Sequence, residues 1–408
     1  MDCNEGPNLE TGAPFNFSSV SYCVHFNWSW VIEEALCNLL KCRVIKKSRS
    51  RELLELGIHH PGYSLFRVVT DETRIRHVRV TSSFFESVDA KDTLYEAIGT
   101  YMPESLLLEV DDTTTRCKEI REFIDKNMDD ERGVLLKAPL GAGGFGLYFC
   151  KSEGEVLFVM HSHLQKATEV EGTLERLKLD HGVLRWSLQK VVNPVLVQLP
   201  GSISLRKSQI RVYLVGVGGS ELFVHTEAVE ARLPHWRKGD RDGDGDGEGE
   251  EDTRVAEDIA EFAGGAVPYN KARDKTATMR LLVVEVPELR EYKGAVVQAV
   301  VEAARTLASL YGKKEQEMAS RRDGEPDEGK HCLAIVGVDL LVEACTGKVF
   351  ILEFNNNPAM PQKGKHRMSE PYQRSLVQLS SDILSLGLRG SGQEDGRDGR
   401  LNFTRVDG

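Results

Sequence analysis

Two acidic residues lie inside strongly apolar, strand-like segments near the end of the chain. Asp339 lies within the run 335–342, and Glu353 lies within the run 349–354. Carboxylates are almost never fully buried unless they are paired or bind a metal. A turn at Thr346 and Gly347 would join the two runs into a hairpin. The two acids are therefore predicted to lie side by side on adjacent strands.

Asn355 follows Glu353 by two residues, so both side chains are expected on the same face of the strand. Two carboxylates and an amide oxygen are ligands that Mg²⁺ accepts, with phosphate oxygens and water completing its octahedron. We therefore predict that Asp339, Glu353 and Asn355 bind magnesium. The alternative, that the acids mark solvated strand ends, is disfavoured by the apolar residues around them.

A glycine-rich segment earlier in the chain is the second chemical signal. A lysine ends a predicted strand and is followed by closely spaced glycines: Lys137, then Gly141, Gly143, Gly144 and Gly146. A strand-like sequence follows, whereas a Rossmann turn requires a helix. This favours a hairpin flap whose backbone N–H groups approach nucleotide phosphates, with the lysine reaching a phosphate. A glycine-rich surface turn is an equally good interpretation of the loop alone.

Basic residues surround the start of the strand predicted at 211–217, namely Arg206, Lys207 and Arg211. Guanidinium groups at this position could stabilise a transferring phosphoryl group or an acyl phosphate. Ordinary surface basic residues are an equally good interpretation without further context.

Charge and composition exclude several functions. The net charge is −11, and much of it lies in an acidic, glycine-rich run at 239–252 that we predict to be a disordered insertion. This run formally fits a calcium-binding EF-hand loop, but glycines stand where such a loop needs apolar residues. No basic excess favours nucleic acid, and no apolar run is long enough to span a membrane. The scattered cysteines and the absence of a leader pattern indicate a cytoplasmic protein.

Both strand-like and helix-like segments are predicted along the chain. We expect a flexible N-terminus at 1–20, a smaller N-terminal α/β domain at 21–115, a main unit at 116–388 and a flexible tail at 389–408. A second polar insertion is predicted at 313–330. Strands are predicted at 66–80, 106–110, 134–137, 146–150, 156–160, 195–199, 211–217 and 222–226, and helices at 31–56, 117–128, 296–310 and 375–386. The basic stretch at 41–51 could bind an acidic partner, although a solvated helix face is the simpler interpretation.

The order of these parts resembles the ATP-grasp fold, in which two α+β subdomains grip ATP, and most closely the tubulin–tyrosine ligase family. Residues 353–359, E-F-N-N-N-P-A, are similar to the family's E-V-N-x-x-P-A segment. Residues 206–211, R-K-S-Q-I-R, are similar to its R-K-F-D-I-R segment, and 137–146 to its glycine segment. Gln209 replaces the family's aspartate, the H-L-T-N segment is not visible, and an arginine expected after the next turn has no clear match, although Arg232 lies close.

The resemblance implies an ATP- and Mg²⁺-dependent ligase that activates a protein carboxylate as an acyl phosphate and joins it to an amino acid. It implies that Arg211 stabilises the transferring group, assisted by Lys207 or Arg206, and that Gln198 and Leu199 bracket adenine. The implied acceptor is the C-terminal tail of tubulin, and the implied amino acid is tyrosine. Alternatives are glutamate or glycine transfer, a non-catalytic ATP- or microtubule-binding relative, and a small-molecule kinase. A cytoplasmic monomer, associated with the cytoskeleton, is expected.

Overall fold

The structure is a computed structural model. It describes residues 17–23, 29–39, 45–47, 64–70, 74–80, 91–109, 116–129, 133–138, 147–169, 185–198, 205–217, 221–233, 279–321, 330–356, 358, 360, 361, 363, 367–389 and 402–406. Helices and several sheets are both present, which confirms the predicted α+β class.

The strands follow one another along the chain as β1 (Phe17–Cys23), β2 (Ile45–Lys47), β3 (Ser64–Thr70), β4 (Arg74–Val80), β5 (Ser105–Glu109), β6 (Val134–Lys137), β7 (Leu147–Cys150), β8 (Arg185–Gln189), β9 (Leu196–Gln198), β10 (Leu205–Lys207), β11 (Gln209–Val217), β12 (Glu221–His225), β13 (Glu230–Leu233), β14 (Met279–Leu282), β15 (Lys330–Val342), β16 (Val349–Asn356), β17 (Arg367–Met368) and β18 (Phe403–Val406). The α-helices are α1 (Ser29–Glu34), α2 (Lys91–Ile98), α3 (Cys117–Asn127), α4 (Glu153–Glu169), α5 (Pro287–Arg290), α6 (Lys293–Arg321) and α7 (Glu370–Arg389). A π-helix continues α1 over Ala35–Leu39, and 3₁₀ turns cover Gly99–Tyr101 and Val283–Glu285.

A large sheet runs in the order β17-β14-β13-β11-β15-β4-β3-β1-β2. Its centre is the antiparallel pair β11 and β15, and two further strands extend it, since β16 pairs with β15 and β12 pairs with β11. Side chains alternate between the two faces of each strand. One face of β11, with Val212 and Leu214, packs in the core that includes residues of α6, and the other, with Tyr213 and Val215, packs in the core that includes residues of α7.

A separate small sheet has the order β5-β8-β6-β7. Leu136 and Leu188 face α3 and α4 in its own core, with Ile120 and Val156 from the helices. β6 and β7 are antiparallel neighbours, so the chain reverses between Lys137 and Leu147 as the sequence predicted. The glycines of that connection lie outside the described residues.

The strand predicted at 156–160 is wrong, because these residues belong to α4. Val156 and Met160 are four residues apart and both buried, which is helical spacing. The helix start carries a reciprocal cap: Glu155 N–H donates to Ser152 Oγ, and Lys151 N–H donates to the Glu155 carboxylate. The Ser-x-x-Glu pattern was the available signal, and the β-branched composition masked it.

Several described elements also extend across the boundaries expected from the sequence. Within the stretch predicted as one or two helices at 31–56, the described helix covers residues up to Leu39, and Ile45–Lys47 form a strand that pairs in parallel with β1. β1 itself begins inside the predicted flexible N-terminus. The polar insertion predicted at 313–330 begins as helix, because α6 continues through helix-favouring residues to Arg321. The predicted flexible tail contains β18, which pairs with β12 and buries Val406.

The proposed division into domains stays a prediction. β5, which precedes residue 116, pairs with β8 in the small sheet, whereas β4 pairs with β15 in the large sheet. In the part of the chain that the structure describes, no helix is both long and apolar enough to cross a membrane. The acidic run at 239–252 lies outside the described residues.

Candidate functional site

The two predicted acids lie directly opposite each other. Asp339 on β15 is the register partner of Glu353 on β16. The hairpin starts at the pair Val342 and Val349, and in a regular ladder that register would put Leu352 opposite Asp339. A β-bulge between Asp339 and Leu340 adds one residue on β16 and moves Glu353 into this position instead. Without the bulge Glu353 would lie opposite Val338, whose side chain is in the apolar core on the other face.

The turn that joins these strands has the predicted chemistry. Gly347 has a φ of 69°, a left-handed conformation that glycine adopts without strain. The Thr346 hydroxyl donates to the Glu343 carboxylate at 2.6 Å and accepts from the Lys348 N–H at 3.1 Å. These local bonds set the start of the β15–β16 ladder.

Asn355 links the two acids. Its Nδ2 donates to Asp339 Oδ2 at 2.8 Å and to Glu353 Oε1 at 3.1 Å. The three predicted magnesium ligands are therefore within hydrogen-bonding distance on one face of the sheet. Asp339 is nearly fully buried, whereas Glu353 and Asn355 are partly exposed.

Arg211 reaches the same cluster from β11, where it is the register partner of Asp339. Its Nε donates to Asp339 Oδ1 at 2.6 Å and its Nη2 donates to Oδ2 at 2.7 Å, a bidentate pair. Burial disfavours the charged guanidinium, but the adjacent carboxylate outweighs burial, so the pKa of Arg211 is raised. Arg211 is thus a permanent cation fixed beside the acid pair.

Gly337 leaves space for this arginine. A Cβ at Gly337 would lie 2.9 Å from Arg211 Nε and 3.0 Å from Pro358 Cβ, which is closer than side chains pack. Gly337 is two residues before Asp339, so it faces the same side of the sheet. A glycine is therefore required here by close approach.

Next to this cluster is Glu230 on β13, whose side chain has no exposed surface. Arg232 Nε donates to Glu230 Oε1 at 2.9 Å, and Arg280 Nη1 on β14 donates to the same oxygen at 2.8 Å. Burial alone would raise the pKa of Glu230, but the attraction of Arg232 and Arg280 outweighs burial and lowers it well below its usual range. The Tyr213 hydroxyl donates to Glu230 Oε2 at 3.4 Å. Burial is the larger cause that raises the pKa of this phenol, and the negative charge of Glu230 raises it further.

Glu230, Arg232 and Arg280 were not among the predicted site residues. From the sequence, Arg232 is only close to the position of the arginine that the family resemblance implies. Arg280 stands in an apolar run, Met279-Arg280-Leu281-Leu282, and Glu230 follows Ala228 and Val229. An ionised residue inside an apolar strand is the signal that identified Asp339 and Glu353, and the same signal could have found these two.

The segment that follows β8 packs on the same face of the large sheet as the acid site. Val192, just after β8, packs on Leu341, Phe350 and Leu352. Leu341 is two residues beyond Asp339 and therefore shares its face. Hydrogen bonds from Val195 N–H to Val342 O and from Ala344 N–H to Asn193 O join the two parts of the chain.

The predicted phosphate lysine lies on the small sheet. Lys137 ends β6 opposite Ser187 and is nearly fully buried. Leu136 faces the helices, so Lys137 faces the other side of the small sheet, together with Leu135. The predicted role of Lys137 in binding phosphate stays a prediction.

The remaining predicted site residues are on a different hairpin or outside the described residues. Arg206 and Lys207 lie on β10, which pairs with β9 and not with the strands that carry the acids. Gln198 ends β9, and its backbone N–H donates to Glu288 of α5 at 3.0 Å. Leu199 and the glycines Gly141, Gly143, Gly144 and Gly146 lie outside the described residues, so their predicted roles stay predictions.

The acid cluster fits a hard divalent cation by the chemistry of its donors. A carboxylate has about four lone-pair positions. Those of Asp339 accept two hydrogen bonds from Arg211 and one from Asn355. Rotation of the Asn355 amide would present its oxygen instead of its nitrogen and would release Asp339 and Glu353 from its N–H groups. Within the described residues no group of three or more His, Cys, Asp or Glu is placed to hold a metal, so this site would depend on the amide.

No family model and no curated protein matches the chain. Among solved structures, the chain is similar to the C-terminal domain of K. lactis Pby1, an ATP-grasp enzyme that interacts with the mRNA decapping enzyme Dcp2. The match covers 95% of this chain and 98% of that one, with a TM-score of 0.44 and 14% sequence identity. A likeness of this degree says nothing about activity or partners.

Proposed function

We propose that this chain is an ATP- and Mg²⁺-dependent carboxylate–amine ligase of the tubulin–tyrosine ligase type. The observation that carries the proposal is the convergence of Asp339, Glu353 and Asn355 on one face of two adjacent strands, with Arg211 bound to Asp339. Such a set supplies hard oxygen ligands and a fixed cation at one place. Positioning and charge neutralisation are what phosphoryl transfer from ATP requires.

Glu353 and Asn355 would hold the metal from the exposed side of the cluster, and Asp339 would hold it with one of the lone pairs that Arg211 leaves. When bound, Mg²⁺ neutralises charge on the phosphates. Arg211 is rigidly paired and buried, so its guanidinium is a preorganised positive charge beside the reacting group. Lys137 and the glycine segment would bind the phosphates from the small sheet.

The acceptor we propose is the carboxylate of an acidic protein tail, most simply the C-terminal tail of tubulin. Tyrosine is the proposed amino acid, and glutamate and glycine are the alternatives. A cytoplasmic monomer associated with the cytoskeleton follows from this proposal. The support for tubulin and tyrosine is the sequence resemblance alone, because the described site does not distinguish between amino acids.

Mass spectrometry of detyrosinated tubulin after incubation with the protein, ATP, Mg²⁺ and mixed amino acids tests the proposal. A mass increase of one tyrosine on the α-tubulin tail is expected, and Glu353→Gln is expected to abolish it because a metal ligand is lost. The matched control is Glu370→Gln, an exposed residue at the start of α7 that pairs with Arg374. If only glutamate or only glycine is transferred, that amino acid and not tyrosine is the substrate. If no amide product forms, the ligase proposal is refuted.

Two observations favour a second candidate, a non-catalytic ATP-binding protein. Both Asp339 oxygens accept hydrogen bonds from Arg211, and Gln209 replaces an aspartate of the family motif two residues before Arg211. A carboxylate held this way is a weaker metal ligand. ATP binding without any turnover would support this candidate, whereas turnover that disappears in Glu353→Gln would eliminate it.

A further inference from the structure

Glu230 is a fully buried anion beside the acid cluster, and the proposed metal site does not use it. Removing a carboxylate from water is unfavourable unless paired charges and hydrogen bonds compensate. Two guanidinium groups, those of Arg232 and Arg280, bind the Glu230 oxygens. Replacing such a trio by apolar residues is often neutral for stability. Its presence next to Asp339 therefore calls for a role other than stability.

Glu230 holds one edge of the Arg232 guanidinium. Arg232 Nε lies 2.9 Å from Glu230 Oε1, and Nη2 lies 3.4 Å from Oε2. The third nitrogen, Nη1, lies 3.7 Å from Asp339 Oδ2, which is beyond hydrogen-bonding distance. A guanidinium is planar and rigid, so fixing its Nε–Nη2 edge also fixes the direction of Nη1. Nη1 therefore points toward the acid cluster.

Arg280 is the second cation bound to Glu230. Two guanidinium groups bind one carboxylate here, so these three side chains together carry one net positive charge. Arg280 and Glu230 are both nearly or fully buried, whereas the Arg232 side chain is 13% exposed. Arg232 is thus the member of the trio that an anion can reach, and it lies at the side of Asp339.

We propose that Glu230 is a positioning residue that, with Arg280 as its counter-charge, orients Arg232 to bind a substrate oxyanion beside Asp339. This inference rests on the proposed function and deepens it, because the oxyanion would belong to the reacting phosphoryl or carboxylate group. Phosphate and carboxylate share the chemistry that a guanidinium recognises, namely adjacent oxygens that accept parallel hydrogen bonds.

The test is calorimetric titration of the full chain, without metal, with tripolyphosphate and separately with acetate. Wild-type protein is expected to bind at least one of them, and Arg232→Lys and Glu230→Gln are expected to bind it about tenfold more weakly, since about one charge-assisted hydrogen bond is lost. Weakened tripolyphosphate binding assigns the site to a phosphoryl group, and weakened acetate binding alone assigns it to a carboxylate. Either result supports the positioning role. No binding by wild type, or unchanged binding by Glu230→Gln, overturns it.

A second variant separates positioning from folding. Glu230→Gln leaves two buried cations on a neutral amide and is expected to lower the melting temperature. The double variant Glu230→Gln/Arg280→Met removes one cation with the anion and is expected to recover stability while binding stays weak. Recovery of wild-type binding in the double variant would mean that Glu230 is only structural. The matched control is Glu227→Gln, which breaks the exposed pair with Lys293, and an equal loss there would overturn the assignment.

Amide formation is measured separately from anion binding. If wild type binds the anion through Arg232 but forms no amide, the ligase proposal fails and the positioning role stands. If wild type forms the amide and Glu230→Gln matches it in both kcat and anion affinity, the positioning role fails and the ligase proposal stands.

Discussion

Removing the charge of Asp339 is expected to destabilise the protein through Arg211. Both side chains are nearly fully buried, at 2% and 6% exposed, and two short hydrogen bonds join them. Breaking a buried pair from one side costs about 3–5 kcal/mol because the other charge stays buried without its partner. Glu230 also attracts Arg211 electrostatically, so we expect the lower end of this range, about 3 kcal/mol. For a chain of 408 residues that corresponds to a melting temperature lower by about 3–4 °C.

The assay is a double-mutant cycle followed by thermal unfolding. Asp339→Asn and Arg211→Met are each expected to lower stability, and Arg211→Met/Asp339→Asn is expected to be less destabilised than the sum of the two, with a coupling of about 2–3 kcal/mol. The drop for Asp339→Asn is expected to persist at high salt, since buried pairs are weakly screened. All three variants are expected to lose ATP turnover because the metal ligand or the cation is missing.

Two results would refute this reasoning. Additivity of the two single effects, within about 0.5 kcal/mol, would mean that the side chains do not interact in solution. Wild-type turnover in the double variant would mean that the pair is structural and lies outside the reacting centre.

Three further predictions concern other parts of the described fold. The folded-state pKa of Glu230 lies below the unfolded-state value of about 4.3, so its charge stabilises the fold above that pH, and this stabilisation is lost as pH falls through the folded-state pKa. Glu230→Gln is therefore expected to flatten the acid side of a plot of melting temperature against pH. An unchanged acid side would contradict this. Burial raises the pKa of Cys150 to about 12, so iodoacetamide at neutral pH is expected to label exposed Cys345 and to leave Cys150 unlabelled. Peptide mass spectrometry measures the labelling of each cysteine, and equal labelling of the two would mean that the small sheet opens. Gly337→Ala is expected to displace Arg211 and to cost about 1–3 kcal/mol in a thermal melt, and wild-type stability would show that the guanidinium relaxes freely.

Much of the secondary structure could be predicted because local pattern and local chemistry agree. The apolar runs around Asp339 and Glu353, with glycine at 347 in the turn, predicted the hairpin that the structure contains. The errors came where composition and spacing disagreed, as in α4, whose β-branched residues suggested a strand while their spacing and Ser152 cap were helical. β18 was missed because a short strand at the end of a polar tail is stabilised by pairing with a distant partner.

The residue pattern is enough to identify which side chains are chemically exceptional: acids and an amide at two-residue spacing in apolar strands, and basic residues at a strand start. Which of these side chains meet depends on how distant strands pair. Arg211 reaches Asp339 because β11 pairs with β15 across 128 positions of sequence, and Glu230 meets Arg280 across 50. Glu353 faces Asp339 because a single bulge shifts the ladder by one residue. Side chains alternate between faces with a period of two, so that one-residue shift decides whether the second acid joins the site or enters the apolar core.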